Sequence, residues 1–404
     1  MISVEFAPNE TLHDGIFAVK MLFQPWKWKK GKEVTKLRQR LRKRFFADSS
    51  EIYLFLTGRC ALYHYLKSLN LKKGSEILVQ GFTCEAVILP ILAQNITPVY
   101  VDITSEDFSM DFDDLKKKYT ENTQVIILQH TFGITPSFRS KIIAFAKEKK
   151  ITVLEDVAHG FEPTMFNKKS QQTSLLVSFG RSKPLSGVFG GAIVSSNKKI
   201  ASNLSKIEKN QQYPNTLFLF KIVLYKALSV LIKATYPIGI GKVIHLIANY
   251  LQLLLPEITK KEKDGVFDEH YAKAFPNISA LFILQQLNRF NDVYRKKIFI
   301  AKYYQEKFRQ SKLTNQAYLR YPYLTDDRNK ILNKLKKKNI LLGLWYNQVI
   351  APKEIKLKNM QYVLGSCPNA EKITDTILNL PTFVNKKQAQ TIVKHINAIA
   401  KNNQ

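Results

Sequence analysis

Cysteine is nearly absent. Cys60, Cys84 and Cys367 are the only three in 404 residues, and they lie far apart. That spacing excludes a disulfide frame or a zinc site and reads as thiols of a reducing compartment. A long uncharged apolar run is also missing. No stretch reaches the ~18 residues a spanning helix wants. The opening MISVEFAPNE has neither a basic start nor an apolar core, so no signal peptide is expected. Acidic residues are scarce too: 32 Asp and Glu face 62 Lys and Arg, a formal balance of +30. Such a balance favours anionic partners. A Lys-rich coding background accounts for it equally well. No zinc-finger spacing or RNA-binding motif accompanies the charge, so nucleic acid is not expected as a partner.

What is present falls into three parts. Residues 1–50 form a basic leader, in which FQPWKWKKGKEVTKLRQRLRKRFF carries Trp26, Trp28, Phe45 and Phe46 near its ends. Basic residues flanked by aromatics suit a membrane interface, and equally a solvated surface helix. From residue 51 short apolar runs alternate with amphipathic stretches. Strands are expected at 52–56, 76–80, 97–101, 123–128 and 151–155, with helices at 60–69, 84–94, 112–119 and 137–149. Two further strands are expected near 174–179 and 190–195. This alternation predicts an α/β fold with a mainly parallel sheet and helices on both faces. Residues 51–275 make this large domain.

Within it, residues 216–256 are an apolar insert, read as two amphipathic helices with a Pro-Gly break. They would lie in a membrane surface, pack on the protein or meet a second copy. Residues 276–404 read as a connecting helix (278–308) and a smaller α+β domain. That domain has strands at 318–324 and in ILLGLW, then helices at 326–338, 369–379 and 386–400.

Three segments carry the chemistry. In LTGRCALYHYL a strand turns at Thr57-Gly58 into a helix starting near Arg59. Free N–H groups and the positive dipole end make such a start a phosphate site. In ITVLEDVAHG a buried strand delivers Asp156 at its carboxyl end, where open α/β sheets bind ligands. A carboxylate there suits a protonated ring nitrogen, and His159 can bond a ring substituent. In SLLVSFGRSKPLSGVFGG, Lys183 stands at the mouth of a strand among glycines. A phosphate site, a strand-end acid and a poised lysine match the three handles of pyridoxal 5'-phosphate: phosphate, pyridine nitrogen and aldehyde.

These segments resemble those of the DegT/DnrJ/EryC1/StrS sugar aminotransferases, and the resemblance runs through most of 51–400. TGRCALYHYL resembles the family's Ser-Gly-Thr-x-Ala-Leu helix start, and LEDVAHG its Glu-Asp-Ala-Ala-Gln. SFGRSKPLSGVFGG resembles its Ser-Phe-x-x-x-Lys-x-Leu-x-x-Gly-x-Gly-Gly, and CPNAEKITDTILNLPT its Pro-x-Ala-Glu segment ending in Leu-Pro. The resemblance implies the fold-type I architecture of pyridoxal-phosphate transferases. It implies Lys183 as the lysine that takes the aldehyde and moves protons, and Asp156 as the partner of the pyridine nitrogen. His159 would stand beside the ring oxygen. The backbone of Gly58 and Arg59, with the Ser178 hydroxyl, would hold the phosphate.

It further implies a homodimer that takes an amino donor, glutamate, and a keto-sugar acceptor linked to a nucleotide. The setting would be the cytoplasm or the inner face of the membrane, in polysaccharide or glycolipid assembly. Two departures stand out. Cys84 occupies the place of the family's ring-stacking aromatic, which transfers stacking to Phe82 or abolishes it. The family's Asn-Tyr-Arg-Met segment, which reaches the neighbouring subunit's cofactor, has no clean counterpart in YAKAFPNIS. Two alternatives remain. One is a keto-sugar dehydratase on the same cofactor, where the family replaces the lysine by His. The other is a non-catalytic fold relative at a membrane. Lys183 argues against the first, and Lys183 with Asp156 against the second.

Overall fold

The computed structural model describes residues 1–160, 173–309 and 316–400. A seven-stranded sheet forms its centre. In chain order the strands are β1 (Glu51–Phe55), β2 (Glu76–Gln80), β3 (Thr97–Val101), β4 (Thr123–Gln129), β5 (Thr152–Asp156), β6 (Ser174–Ser178) and β7 (Gly191–Ser195). Across the sheet they run β1-β7-β6-β5-β4-β2-β3. Only β7 is antiparallel to its neighbours. Strands covered on both faces read as continuous apolar runs. Alternate residues then serve opposite faces. Ile77, Val79, Val125 and Ile127 join one core cluster. Leu78, Ile126 and Leu128 join another, with Ile142 of the helix across from them.

Helices α1 (Leu12–Leu22) and α2 (Glu33–Phe45) precede the sheet. On α2, Leu37, Leu41 and Phe45 recur at helical spacing and are buried against Ile52, Leu54 and Ile283. The basic residues turn outward, and Arg38 and Arg42 bond Glu208 and Glu51. Of the four aromatics named above, Trp28, Phe45 and Phe46 are therefore core residues, while Trp26, like Phe23 before it, is exposed. The expected interfacial use of all four is corrected accordingly.

The sheet's helices are α3 (Gly58–Leu69), α4 (Glu85–Leu92), α5 (Phe112–Lys118), α6 (Arg139–Glu148) and α7 (Lys198–Lys209). The apolar insert forms α8 (Thr216–Thr235) and α9 (Ile240–Tyr250), broken at Pro237 and Gly239. Gly239 takes a φ of 88°, which a residue with a side chain rarely adopts.

The expected helix 278–308 is two helices, α10 (Asn277–Leu287) and α11 (Phe290–Phe308). The break falls at Arg289, whose guanidinium is held by the Asp14 carboxylate at 2.6 Å and by the Asn9 carbonyl at 3.1 Å. Arg289 has a backbone φ of −107° and ψ of 7°, outside the helical range, and stands at the N-cap of α11.

The smaller part pairs β8 (Arg320–Leu324) with β9 (Ile377–Pro381) antiparallel. It also holds α12 (Arg328–Lys336), α13 (Pro368–Thr376) and α14 (Lys386–Ala400). The expected helix 369–379 ends at Thr376. Ile377, Leu378 and Leu380 are fully buried, so the chain turns into a strand opposite β8.

Candidate active site

Because β1 runs parallel to β4, β5 and β6, their carboxyl ends share one edge of the sheet. The amino end of β7 meets them there. A cleft of about 460 Å³ opens at this edge.

At its floor β1 turns through Thr57 into α3. The Thr57 hydroxyl accepts from the Cys60 N–H at 3.1 Å, which caps the helix. The first-turn N–H groups of Gly58 and Arg59 have no acceptor within the helix. Gly191 of β7 is pressed so closely on this turn that a Cβ would collide with the Thr57 carbonyl and the Gly58 nitrogen. Ser178, at the end of β6, brings its hydroxyl to 3.2 Å from where a Cβ at Gly58 would lie. The Arg59 guanidinium does not point at this cradle. It is spent on Glu262 at 2.5 Å and the Glu257 carbonyl at 2.5 Å.

Asp156 ends β5, and its carboxylate accepts from the Ala158 N–H at 2.9 Å. Burial raises its pKa, and this bond, Lys183 and His130 pull the other way. Lys183 follows a tight turn in which its N–H donates to the Gly180 carbonyl at 3.1 Å. Its amine lies 4.8 Å from the centre of the Trp345 ring. Burial lowers the pKa of the amine, offset in part by Cys84 and Asp156.

His159 accepts the Phe132 N–H on Nδ1 at 3.1 Å, so its proton sits on Nε2, 3.2 Å from the Tyr346 hydroxyl. Burial and the nearby Lys183 and Arg320 hold this imidazole neutral. Phe132 itself adopts a φ of 57°, an uncommon left-handed conformation that aims its N–H at the ring. Gly58, Arg59, Ser178, Asp156, His159 and Lys183 all line the one cleft.

Phe82 does not. It is fully buried below the cleft, edge-on to Tyr346 at 5.1 Å and within reach of Phe108 and Phe132. Its expected stacking role is corrected, because apolar packing holds it beneath the floor. The aromatic rings that line the cleft are Phe189, from the larger part of the chain, and Trp345 and Tyr346, from the smaller. The Trp345 ring stacks on His159 at 5.2 Å and on Tyr346 at 5.8 Å.

Beside Trp345 lies Arg320, its guanidinium carbon 3.4 Å from the ring centre. Arg320 is 1% exposed. Only Nη1 finds a partner, Glu5 at 3.4 Å, while Nε and Nη2 have none among the described residues. One signal in the sequence pointed to it: a charged residue at an inward position of the apolar strand YLRYPYL. Arg181, Glu257 and Ile258 also border the cleft. The Arg181 guanidinium stacks on Tyr225 at 4.2 Å and bonds the Leu255 carbonyl. The end of the insert is thereby tied to the border of the cleft through Arg181.

Glu155, next to Asp156, faces the other way. Burial works against its ionisation, but bonds from His130 at 2.9 Å and Arg139 at 2.6 Å hold its pKa at about 2. A depressed carboxylate stabilises the fold above its unfolded pKa, and this support is lost as pH falls towards about 2. Replacing Glu155 by Ala strands buried partners and is expected to cost about 3–5 kcal/mol in a urea titration at neutral pH. A loss within the scatter of surface mutants would show that the cluster does not brace β5.

This cleft fits the three-handled cofactor expected from the sequence. Free N–H groups and a hydroxyl converge at one end, a buried carboxylate lies at the floor, and a desolvated amine stands between. Comparison with known proteins agrees with this fit. Residues 14–214 and 253–397 match the model of the DegT/DnrJ/EryC1/StrS aminotransferase family. The chain is 22% identical over 366 residues to the dTDP-4-amino-4,6-dideoxy-D-glucose transaminase of Escherichia coli, covering 86% of this chain and 85% of that protein. It is 31% identical over 186 residues to the UDP-2-acetamido-2-deoxy-3-oxo-D-glucuronate aminotransferase of Pseudomonas aeruginosa, covering 45% and 51%. Among solved structures it is similar to a DegT DnrJ EryC1 StrS aminotransferase from Brucella abortus. The TM-score is 0.70 at 17% identity over 96% of this chain and 95% of the other.

Proposed function

Since the chain belongs to the DegT/DnrJ/EryC1/StrS aminotransferase family and is a pyridoxal-phosphate enzyme, we propose that it moves an amino group from glutamate to the keto carbon of a nucleotide-linked sugar. The observation that carries the reading is the meeting of Lys183, Asp156 and the Gly58–Ser178 cradle in one cleft. The names of the relatives support the sugar class, since both act on nucleotide-linked sugars. Bound there, the cofactor supplies an aldehyde that carries the amino group and a ring that withdraws electrons.

The chain's own groups do the rest. The Lys183 amine would hold the aldehyde carbon and, when released, would carry a proton between the donor's α-carbon and that carbon. The Asp156 carboxylate holds the ring nitrogen's proton. The neutral His159 imidazole presents its Nε2–H towards the ring oxygen in place of Tyr346. Trp345 covers the cleft and keeps water from the reacting carbon.

Arg320 is the cation available to a carboxylate of the donor. Its long contact with Glu5 is weak, and two of its nitrogens are unbonded. An incoming carboxylate would gain a charge-assisted bond there of about 1.5–3 kcal/mol.

The test is a half-reaction. Glutamate added to the cofactor-loaded protein is expected to bleach its visible band and yield 2-oxoglutarate in equal amount. A candidate nucleotide keto-sugar should then restore the band. Colour that ignores every amino donor would overturn the reading. Arg320→Leu is expected to raise KM for glutamate about 10- to 150-fold while KM for the sugar stays level. Equal rises in both would remove Arg320 from donor binding.

A further inference from the structure

Helices α1 and α9 both pack on α8, and each turns an apolar stripe away from it. On α1 the buried side is held by Gly15, where a Cβ would lie 3.0 Å from Val230 of α8, and by Ala18 and Met21. The opposite side carries Leu12, Ile16, Val19 and Phe23 at successive helical turns, and Trp26 follows, 71% exposed. On α9, Gly241 and Ala248 are buried, while Ile240, Val243, Leu246, Ile247 and Tyr250 are exposed, Tyr250 by 86%. A surface helix ordinarily hides its apolar stripe in the core. Here the core side is already occupied, and the stripe that remains is bare. Scattered apolar residues on a surface need no explanation, but contiguous stripes mark an interaction site.

The charge around these stripes selects the partner. Residues 15–32 and 210–256 contain no Asp or Glu. Lys20, Lys27, Lys29, Lys30 and Lys242 border them and are exposed. A second copy docked through this face would bring lysine against lysine. An anionic lipid surface would take both features, the apolar side chains into the acyl boundary and the lysines against headgroups. No helix among the described residues is long and apolar enough to cross a membrane. Contact of this kind therefore lies in the surface. The α9 stripe also falls within residues 215–252, which the family match leaves out. It is an addition to the shared frame and not part of it.

We propose that the exposed faces of α1 and α9 seat this protein on an anionic lipid surface. The proposal does not depend on the substrate.

The test uses the full chain with vesicles of phosphatidylcholine alone and of phosphatidylcholine mixed with phosphatidylglycerol. Each lysine near such a surface contributes about 1 kcal/mol, so co-sedimentation should be at least tenfold greater with the anionic vesicles. Raised salt should weaken it. The double variant Phe23→Glu/Leu246→Glu changes only exposed positions. It should keep the wild-type melting temperature and lose the vesicles. Equal or absent binding to the two vesicle types overturns the proposal. So does a wild-type dimer that the double variant converts to monomer in light scattering, because the face would then belong to a second copy. Neither outcome bears on the amino-transfer reading, which the glutamate half-reaction tests alone.

Discussion

Lys183→Ala is expected to abolish both the visible band of the loaded protein and turnover, with a fall of at least about 10²–10⁴ in kcat. The side chain is asked to do two things that no neighbour can take over. It must be a neutral amine to bind an aldehyde, and it must later move a proton between the donor's α-carbon and the aldehyde carbon. Its setting serves both. Burial lowers its pKa, and the Gly180 turn fixes the direction in which it leaves the backbone. The sign of the effect is testable separately. A neutral amine is the reactive form, so recharging the apoprotein with cofactor should accelerate as pH rises towards the lysine's pKa. The half-point should lie below the ordinary lysine value of about 10.4. His130 and Arg139 lie on the far side of Glu155, and the two other cationic or imidazole groups near the amine, Arg320 and His159, cannot substitute. Arg320 does not lose its proton, and His159 is held neutral by its own bonds. Retained colour and turnover in the variant would remove Lys183 from the chemistry, and the one thiol that lines the cleft, Cys84, is disarmed. The Cys84 thiol is pushed up to about 12 by burial and by Glu85.

The second large effect belongs to Asp156. Asp156→Asn preserves shape and the bond from Ala158 but removes the charge that a protonated ring nitrogen requires. A buried charged pair that loses one partner typically forfeits about 2–5 kcal/mol, so cofactor affinity should fall by roughly 30- to 5,000-fold. Turnover at saturating cofactor should fall as well, because the ring can no longer be kept cationic. Equilibrium titration of the apoprotein with cofactor measures the first effect and steady-state rates the second. Loss of both with an unchanged melting curve of the apoprotein is the expected pattern. An Asn variant that binds cofactor as tightly as wild type would mean that another group faces the ring nitrogen. The carboxylate's position is not adjustable, since Glu155 beside it is clamped by His130 and Arg139.

Much of this arrangement is written locally. Strands such as 76–80 and 97–101 are short apolar runs between turn residues, and period and punctuation suffice to place them. The placement of Lys183, Asp156 and Gly58 at one edge was legible because Asp156 ends β5 and the other two follow β6 and β1 within a few residues. What escaped was set by contacts across the chain. Arg289, at the break between α10 and α11, is bonded to Asp14, 275 residues away in sequence. The strand at Ile377 forms because β8 offers a partner. Phe82 lies near the right place in sequence but on the wrong side of the floor. The aromatic cover came from Trp345 instead, more than 150 residues beyond Lys183 and in another part of the chain.

Trp345 also has a mechanical meaning. The side-chain amide of Asn379, on β9, brackets it from both sides, accepting its N–H at 2.7 Å and donating to its carbonyl at 2.9 Å. The roof of the cleft is thus bolted to the smaller part of the chain, while the floor belongs to the larger. Any hinge movement that parts the two lifts the indole off Lys183, so the cover over this amine and the closure of the two halves become one degree of freedom.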